Sequence, residues 1–119
     1  MNTKTRGDFG EDQATAFLQS RGYHIVKRNL RCRSGEVDIV VYKDDSLIFV
    51  EVKHWLTMSI VDLEHSITPA KRSRILGCAQ KFGVDHPQWN DFRWRFDIVH
   101  VGPDTITHFE DAFTESGFQ

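Results

Sequence analysis

The spacing of apolar residues changes period along this chain, and the changes divide it into elements. Within residues 8–21, Glu11, Ala14, Phe17, Leu18 and Arg21 recur at the spacing of one helical side, and Gly22 ends the run. The pattern predicts a first helix with Glu11 near its start, leaning toward the buried face. A strand follows over 23–30. Residues 37–42 and 47–53 are dominated by Val, Ile, Phe and Tyr and flank Lys43-Asp44-Asp45-Ser46, which reads as a β-hairpin. Thr68 can cap a second helix with Pro69 at its first position, Ile75, Leu76, Ala79 and Phe82 on its apolar side and Gly83 closing it. Over 92–101, Phe92, Trp94, Phe96 and Ile98 alternate with Arg93, Arg95 and Asp97, which predicts another strand with Trp94 in the core. A short strand over 105–109 and an acidic, aperiodic, frayed tail over 110–119 complete an αβββαβ order. The class is α/β, a mixed central sheet flanked by helices.

The hairpin carries charges where a strand normally has none. A tight loop centred on Asp44 and Asp45 sets Asp38 opposite Glu51 and Glu36 opposite Lys53. Alternation then gives Asp38, Glu51 and Lys53 one face, while Val52 points away and leaves its carbonyl near the cluster. Like charges facing each other among residues as apolar as Ile39, Val40, Val50 and Val52 are destabilising, so something must compensate. A hard divalent cation does so, because Mg²⁺ takes one or two carboxylates and completes its shell with water, carbonyl and phosphate oxygens. Lys53, beside a metal-bound water, could orient or deprotonate it for attack on a phosphodiester. An isolated E-x-K on a strand is ordinarily an exposed ion pair contributing under about 1 kcal/mol. The register of Asp38 with Glu51, and Glu11 delivered by the helix, weigh against that here.

Composition sets the limits. With 119 residues and 39% hydrophobic content, the chain can form one compact domain, spanning residues 1–119, and has no room for a second. No apolar run suggests a leader or a membrane span, and a mean hydropathy of −0.43 fits a soluble, cytoplasmic protein without a membrane partner. Cys32 and Cys78 lack metal-binding spacing and are expected to be reduced thiols. The net charge of −2 argues against a strongly basic duplex binder, but its distribution is uneven. Arg21, Lys27, Arg28, Arg31 and Arg33 occur with no intervening acid, and Lys71, Arg72 and Arg74 form a second cluster. These read either as solvated faces or as contacts to phosphate. Trp55 and Trp89 read as core or interface residues rather than base-stacking platforms, and His54 and His65 have no partners at metal-binding spacing.

Taken in order, Gly10-Glu11-Asp12-Gln13-Ala14, Gly22-Tyr23, Arg28-Asn29, Gly35-Glu36-Val37-Asp38, Phe49-Val50-Glu51-Val52-Lys53, Lys71-Arg72 and Arg95-Phe96-Asp97 resemble the YraN-like family of small bacterial proteins, within the PD-(D/E)XK nuclease superfamily that includes junction resolvases. The resemblance spans nearly the whole chain and implies a restriction-endonuclease-like core. It further implies that Asp38, Glu51 and the Val52 carbonyl hold Mg²⁺ or Mn²⁺, that Glu11 supports the metal directly or through water, and that Lys53 is catalytic. Lys71 would touch phosphate or water, and Glu36 would assist from across Lys53. Nucleic acid, above all DNA, would be the partner, met by Arg28, Arg31, Arg33, Lys71, Arg72 and Arg74, and junction resolvases make a homodimer conceivable. The chain departs from the family pattern after Lys53, where His54-Trp55 stands in place of a small hydroxyl or aromatic residue followed by arginine. Two classes follow: a metal-dependent endonuclease, or a nucleic-acid-binding module that keeps the fold without turnover. The four intact residues Glu11, Asp38, Glu51 and Lys53 favour the first.

Overall fold

The computed structural model describes residues 6–54, 67–114 and 117–118. Helix α1 (Arg6–Ser20) leads into β1 (His24–Cys32), β2 (Gly35–Lys43) and β3 (Ser46–His54). Helix α2 (Pro69–Asp85) and a 3₁₀ turn (Pro87–Trp89) precede β4 (Arg93–Val101), β5 (Ile106–Phe109) and a small pair, β6 (Phe113–Thr114) with β7 (Gly117–Phe118). The main sheet runs β1-β2-β3-β4-β5, antiparallel throughout except for the parallel β3/β4 pair joined across α2. The expected mixed α/β core is therefore present. Among the described residues no helix is long and apolar enough to cross a membrane.

Local chemistry explains the boundaries. α1 ends in paired bonds from Tyr23 N–H to the Leu18 carbonyl and from Gly22 N–H to the Gln19 carbonyl, and Gly22 adopts the φ of +89° that this ending requires. Tyr23 and Leu18 then pack in the same apolar cluster. Thr68 caps α2 by accepting from Lys71 N–H at 3.2 Å, with Pro69 at the first turn as expected. Lys43 pairs with Ser46, so the β2/β3 turn is the two-residue Asp44-Asp45, with Asp44 at φ +54°.

The sheet has an apolar cluster on each face. Toward α1 lie Ala14, Leu18, Ile39, Val41, Ile48, Val50, Val99 and Val101. Toward α2 lie Val37, Val40, Leu47, Phe49, Ile75, Ala79, Phe82, Ile98 and Phe113, with Trp94 and Phe96 against them. Each fully buried Val, Leu, Ile or Phe contributes about 1.5–3 kcal/mol, which holds the strands rigid enough to position charged groups at their ends.

Three expectations change. Gly83 does not close α2, which continues to Asp85; a Cβ on Gly83 would lie 2.4 Å from Trp94 Cη2, so glycine is there to admit the indole. Within the tail expected to fray, Ala112 and Phe113 are buried and Ala112 N–H donates to the Phe96 carbonyl at 2.8 Å. Cys32 and Cys78, expected as reduced thiols, form a disulfide between the end of β1 and α2, with Cα atoms 5.5 Å apart. The separation of 46 residues hid this pairing, because only the packing of α2 across β1 brings the two together.

Candidate functional site

The predicted register holds along most of the hairpin and fails at its end. Ile39/Val50, Val40/Phe49, Val41/Ile48 and Tyr42/Leu47 pair as expected, but the ladder stops at Ile39/Val50. β3 continues alongside β4 as far as His54/Val101, while β2 continues alongside β1 as far as Gly35/Cys32. The two strands therefore fork, and the charged residues occupy the fork. Asp38 reaches across it, its Oδ2 accepting from Val52 N–H at 2.7 Å where a ladder bond would otherwise continue.

Glu51 and Lys53 project toward α2 and are each only 8% exposed. Glu51 Oε1 lies 3.1 Å from Lys71 Nζ and 3.5 Å from Lys53 Nζ. The structure thus brings Asp38, Glu51, Val52, Lys53 and Lys71 together. Glu11, buried on α1 as expected, accepts from Arg28 Nε at 3.0 Å, while Arg28 Nη2 donates to Asp12 at 2.7 Å. Arg28 is consequently held by two acids at the rear of the site.

Glu36 is a correction. Its strand has left β3 by that point, so Glu36 pairs with Arg31 of β1, 3.6 Å between charged atoms, and does not face Lys53. Arg31, Arg33 and Arg74 are exposed. Arg72 donates to the Ile67 carbonyl at 3.1 Å. His54 packs near the Phe9 ring, with centroids 6.1 Å apart. Trp55 and His65 lie outside the described residues.

Electrostatics sets this cluster apart. Burial, reinforced by the charge of Glu51 and more weakly by Glu11 and Glu36, pushes the Asp38 carboxyl up to about 7, against the Val52 N–H that lowers it. Burial and the neighbouring Lys71 pull the Lys53 amine below its usual value, opposed by Glu51. Burial also acts to lower Lys71, but Glu51 and Lys53 outweigh it and leave Lys71 raised. A carboxyl near neutrality beside a depressed amine is a pairing suited to proton transfer.

Among the described residues, no group of three or more His, Cys, Asp or Glu side chains could by itself hold a metal ion. The donor set in the fork is instead two carboxylates and the Val52 carbonyl. This composition fits Mg²⁺, which seldom takes an all-protein cage and leaves positions for water and substrate oxygens. Burial and the nearby Glu51 both disfavour the ionised Asp38 carboxyl, and such a cation would offset them.

Two further neighbours have no role assigned from the sequence. Asn29 adopts φ +53° on β1, and the pairs on either side of it, Arg28/Ile39 and Leu30/Val37, set it across from Asp38. His100, beside Lys53 in the β3/β4 register, buries Nε2 without a hydrogen-bond partner among the described residues. Asn29 stands in the Arg28-Asn29 landmark, which gives no sign of its position beside Asp38, and His100 carries no sequence signal, since each placement depends on a neighbouring strand.

A model of the uncharacterised protein family UPF0102 matches residues 10–101. A UPF0102 protein of Azorhizobium caulinodans is 38% identical over 113 residues, covering 94% of this chain and 85% of the relative. One from a Sulfurihydrogenibium species is 37% identical over 115 residues, covering 96% and 98%. A third, from Caldicellulosiruptor bescii, is 35% identical over 119 residues, covering 95% and 100%. The match with residues 10–101 takes in α1 from Gly10 onward, the fork and α2, and so every residue of the site.

Proposed function

Since the chain belongs to the uncharacterised protein family UPF0102, whose name assigns no chemistry, we propose from its own residues that it is a Mg²⁺- or Mn²⁺-dependent endonuclease of PD-(D/E)XK type, hydrolysing phosphodiester bonds in DNA. The observation that carries this reading is the fork itself: two carboxylates, Glu51 buried and Asp38 half-buried, and two amines converge where β2 and β3 separate, with Asp38 raised to about 7. Bound metal would supply a polarised water and offset charge on the phosphate.

Asp38, Glu51 and the Val52 carbonyl would hold that metal. The Val52 N–H fixes the Asp38 carboxylate, and Arg28 holds Glu11 in place behind it. Lys53, its amine lowered by burial, would accept or orient the proton of the attacking water. Lys71 reaches Glu51 from the first turn of α2 and would be placed there to meet a phosphate oxygen.

One observation favours a second reading, a nucleic-acid-binding module without turnover: Glu51 already meets both amines, so the cluster carries internal compensation. Incubating labelled duplex, single-stranded, flap and four-way DNA with Mg²⁺ or Mn²⁺, with EDTA controls, separates the two. The endonuclease reading expects metal-dependent cutting that falls at least about a hundredfold in Lys53→Ala and in Glu51→Ala. Salt-sensitive binding without cutting in the wild type would give first place to the binding module.

A further inference from the structure

A cavity of about 500 Å³ opens on the outer side of the edge strand β1, between it and the C-terminal end of α2. Its chemistry differs from that of the fork. Phe82, His86 and Trp89 supply aromatic surface, Lys27 and Arg31 supply positive charge, and Asn29 and Gln88 supply side-chain amides; among the described residues no acid lines it. His86 is fixed by stacking on Phe82, ring centroids 4.3 Å apart and 24° between planes, and by its Nδ1, 3.0 Å from the Phe82 carbonyl. Trp89 is braced by Tyr42 and Phe92, with centroids at 5.3 and 4.7 Å. The rings are therefore set before any ligand arrives.

We propose that this cavity receives an unpaired nucleotide of a single-stranded or splayed nucleic acid, its base against the His86 and Trp89 rings and its phosphates near Lys27 and Arg31. Flat rings accept any base face, amides can meet base edges, and exposed cations follow the backbone. Arg31 is available for this, because its partner Glu36 is exposed and 3.6 Å away, a pairing that solvent weakens. A cavity on the α1 side of the sheet is built differently: Arg21 lies over the Phe17 ring, Lys43 lies over the Tyr23 ring, and Glu110 adds an acid.

Position links the cavity to the fork. Asn29 lines it, and Asn29 sits across from Asp38, one strand spacing of about 4.8 Å away. Its backbone there is left-handed, with φ of +53°. A strand anchored in the cavity would thus pass close to the fork, which makes the substrate of the proposed nuclease one with unpaired bases. The inference rests on the nucleic-acid part of that reading and can be tested apart from cleavage.

The test is fluorescence anisotropy of a labelled ten-residue oligothymidylate, in EDTA and low salt, against a strand of equal length and charge made of abasic residues. The base-bearing strand is expected to bind about tenfold more tightly. The exposed pair Lys27→Ala/Arg31→Ala should weaken binding and lower the salt slope by about two. Gln88→Ala should reduce the preference for bases with little change in the abasic strand. Equal affinity for the abasic strand, or equal competition by blunt duplex or polyglutamate, would overturn the proposal. Because EDTA removes metal chemistry, this assay reads the cavity alone: base preference here with no cutting in the Mg²⁺ or Mn²⁺ panel would support the cavity and sink the nuclease, whereas cutting in that panel without base preference here would do the reverse.

Discussion

Asp38 and Asp97 are both enclosed in one sheet, two strands apart, and the protein treats them in opposite ways. Asp97 is fully buried and fully partnered: Arg95 donates two bonds of 2.8 Å, His108 Nε2 lies at 2.7 Å, and Asp111 N–H donates at 2.8 Å. Burial raises its carboxyl, but His108, Arg95 and the Asp111 N–H outweigh burial and leave it lowered. Among the described residues Asp38 receives a single backbone donor, it feels the charge of Glu51, and its carboxyl stands near 7. A carboxylate met by donors on every side pins β4 to β5 and the following turn. One left short of partners is a place waiting for charge, and that difference separates scaffold from site.

The largest effect is expected at the pinned centre. Asp97→Ala should cost about 3–5 kcal/mol in urea unfolding, because Arg95, His108 and the Asp111 N–H would all lose their buried acceptor, leaving Arg95 only Tyr23 and the more exposed Glu110. A loss below about 1 kcal/mol would mean that Asp97 does not pin the sheet. The open centre should respond instead to cation. At a hundredfold excess over its dissociation constant, Mg²⁺ or Mn²⁺ should stabilise the wild type by about 2.7 kcal/mol and leave Asp38→Asn unmoved. Equal stabilisation of both proteins would remove Asp38 from the metal site.

Smaller, but opposite in sign, are the pH responses. Asp38 is raised on folding, so its contribution is complete below about pH 4 and is lost as pH climbs through 7, at up to about 1.4 kcal/mol per unit. Asp97 is lowered, so its contribution is present above about pH 4 and is lost as pH falls through its folded value. Unfolding measured from pH 5 to 8 without metal should show Asp38→Asn gaining about 2 kcal/mol on the wild type at the alkaline end. Parallel curves for the two proteins would contradict the raised carboxyl. Least of all, Arg28→Ala should cost about 1 kcal/mol and push Asp38 higher still by unmasking Glu11, a shift that carboxyl NMR titration would register.

Much of this arrangement is legible before folding. The two-residue turn at Asp44-Asp45 fixes hairpin register, and period-two alternation fixes which face Glu51 and Lys53 share, so their neighbourhood follows from local rules. The Thr68-Pro69 cap likewise places Lys71 in a first helical turn. Glu36 was misplaced because register continues only while two strands remain paired, and nothing local marks where β3 leaves β2 for β4. Gly83 shows the same limit: as a sequence signal it reads as a helix end, yet its role is set by Trp94, eleven positions further along and on another element.

The sequence by itself determined the end of α1, the cap of α2, the register of the hairpin near its turn and the residue types able to meet a divalent cation, because those depend on spacing within a few turns or one ladder. Only the tertiary structure decided that the ladder opens into a fork, that Lys71 and Lys53 share Glu51, that Cys32 meets Cys78, and that Asp97 is sated while Asp38 is not. These follow from how α2 and β4 pack against the hairpin. Burial and partner count, which set the charge state of a carboxylate, are properties of that packing and not of the residue.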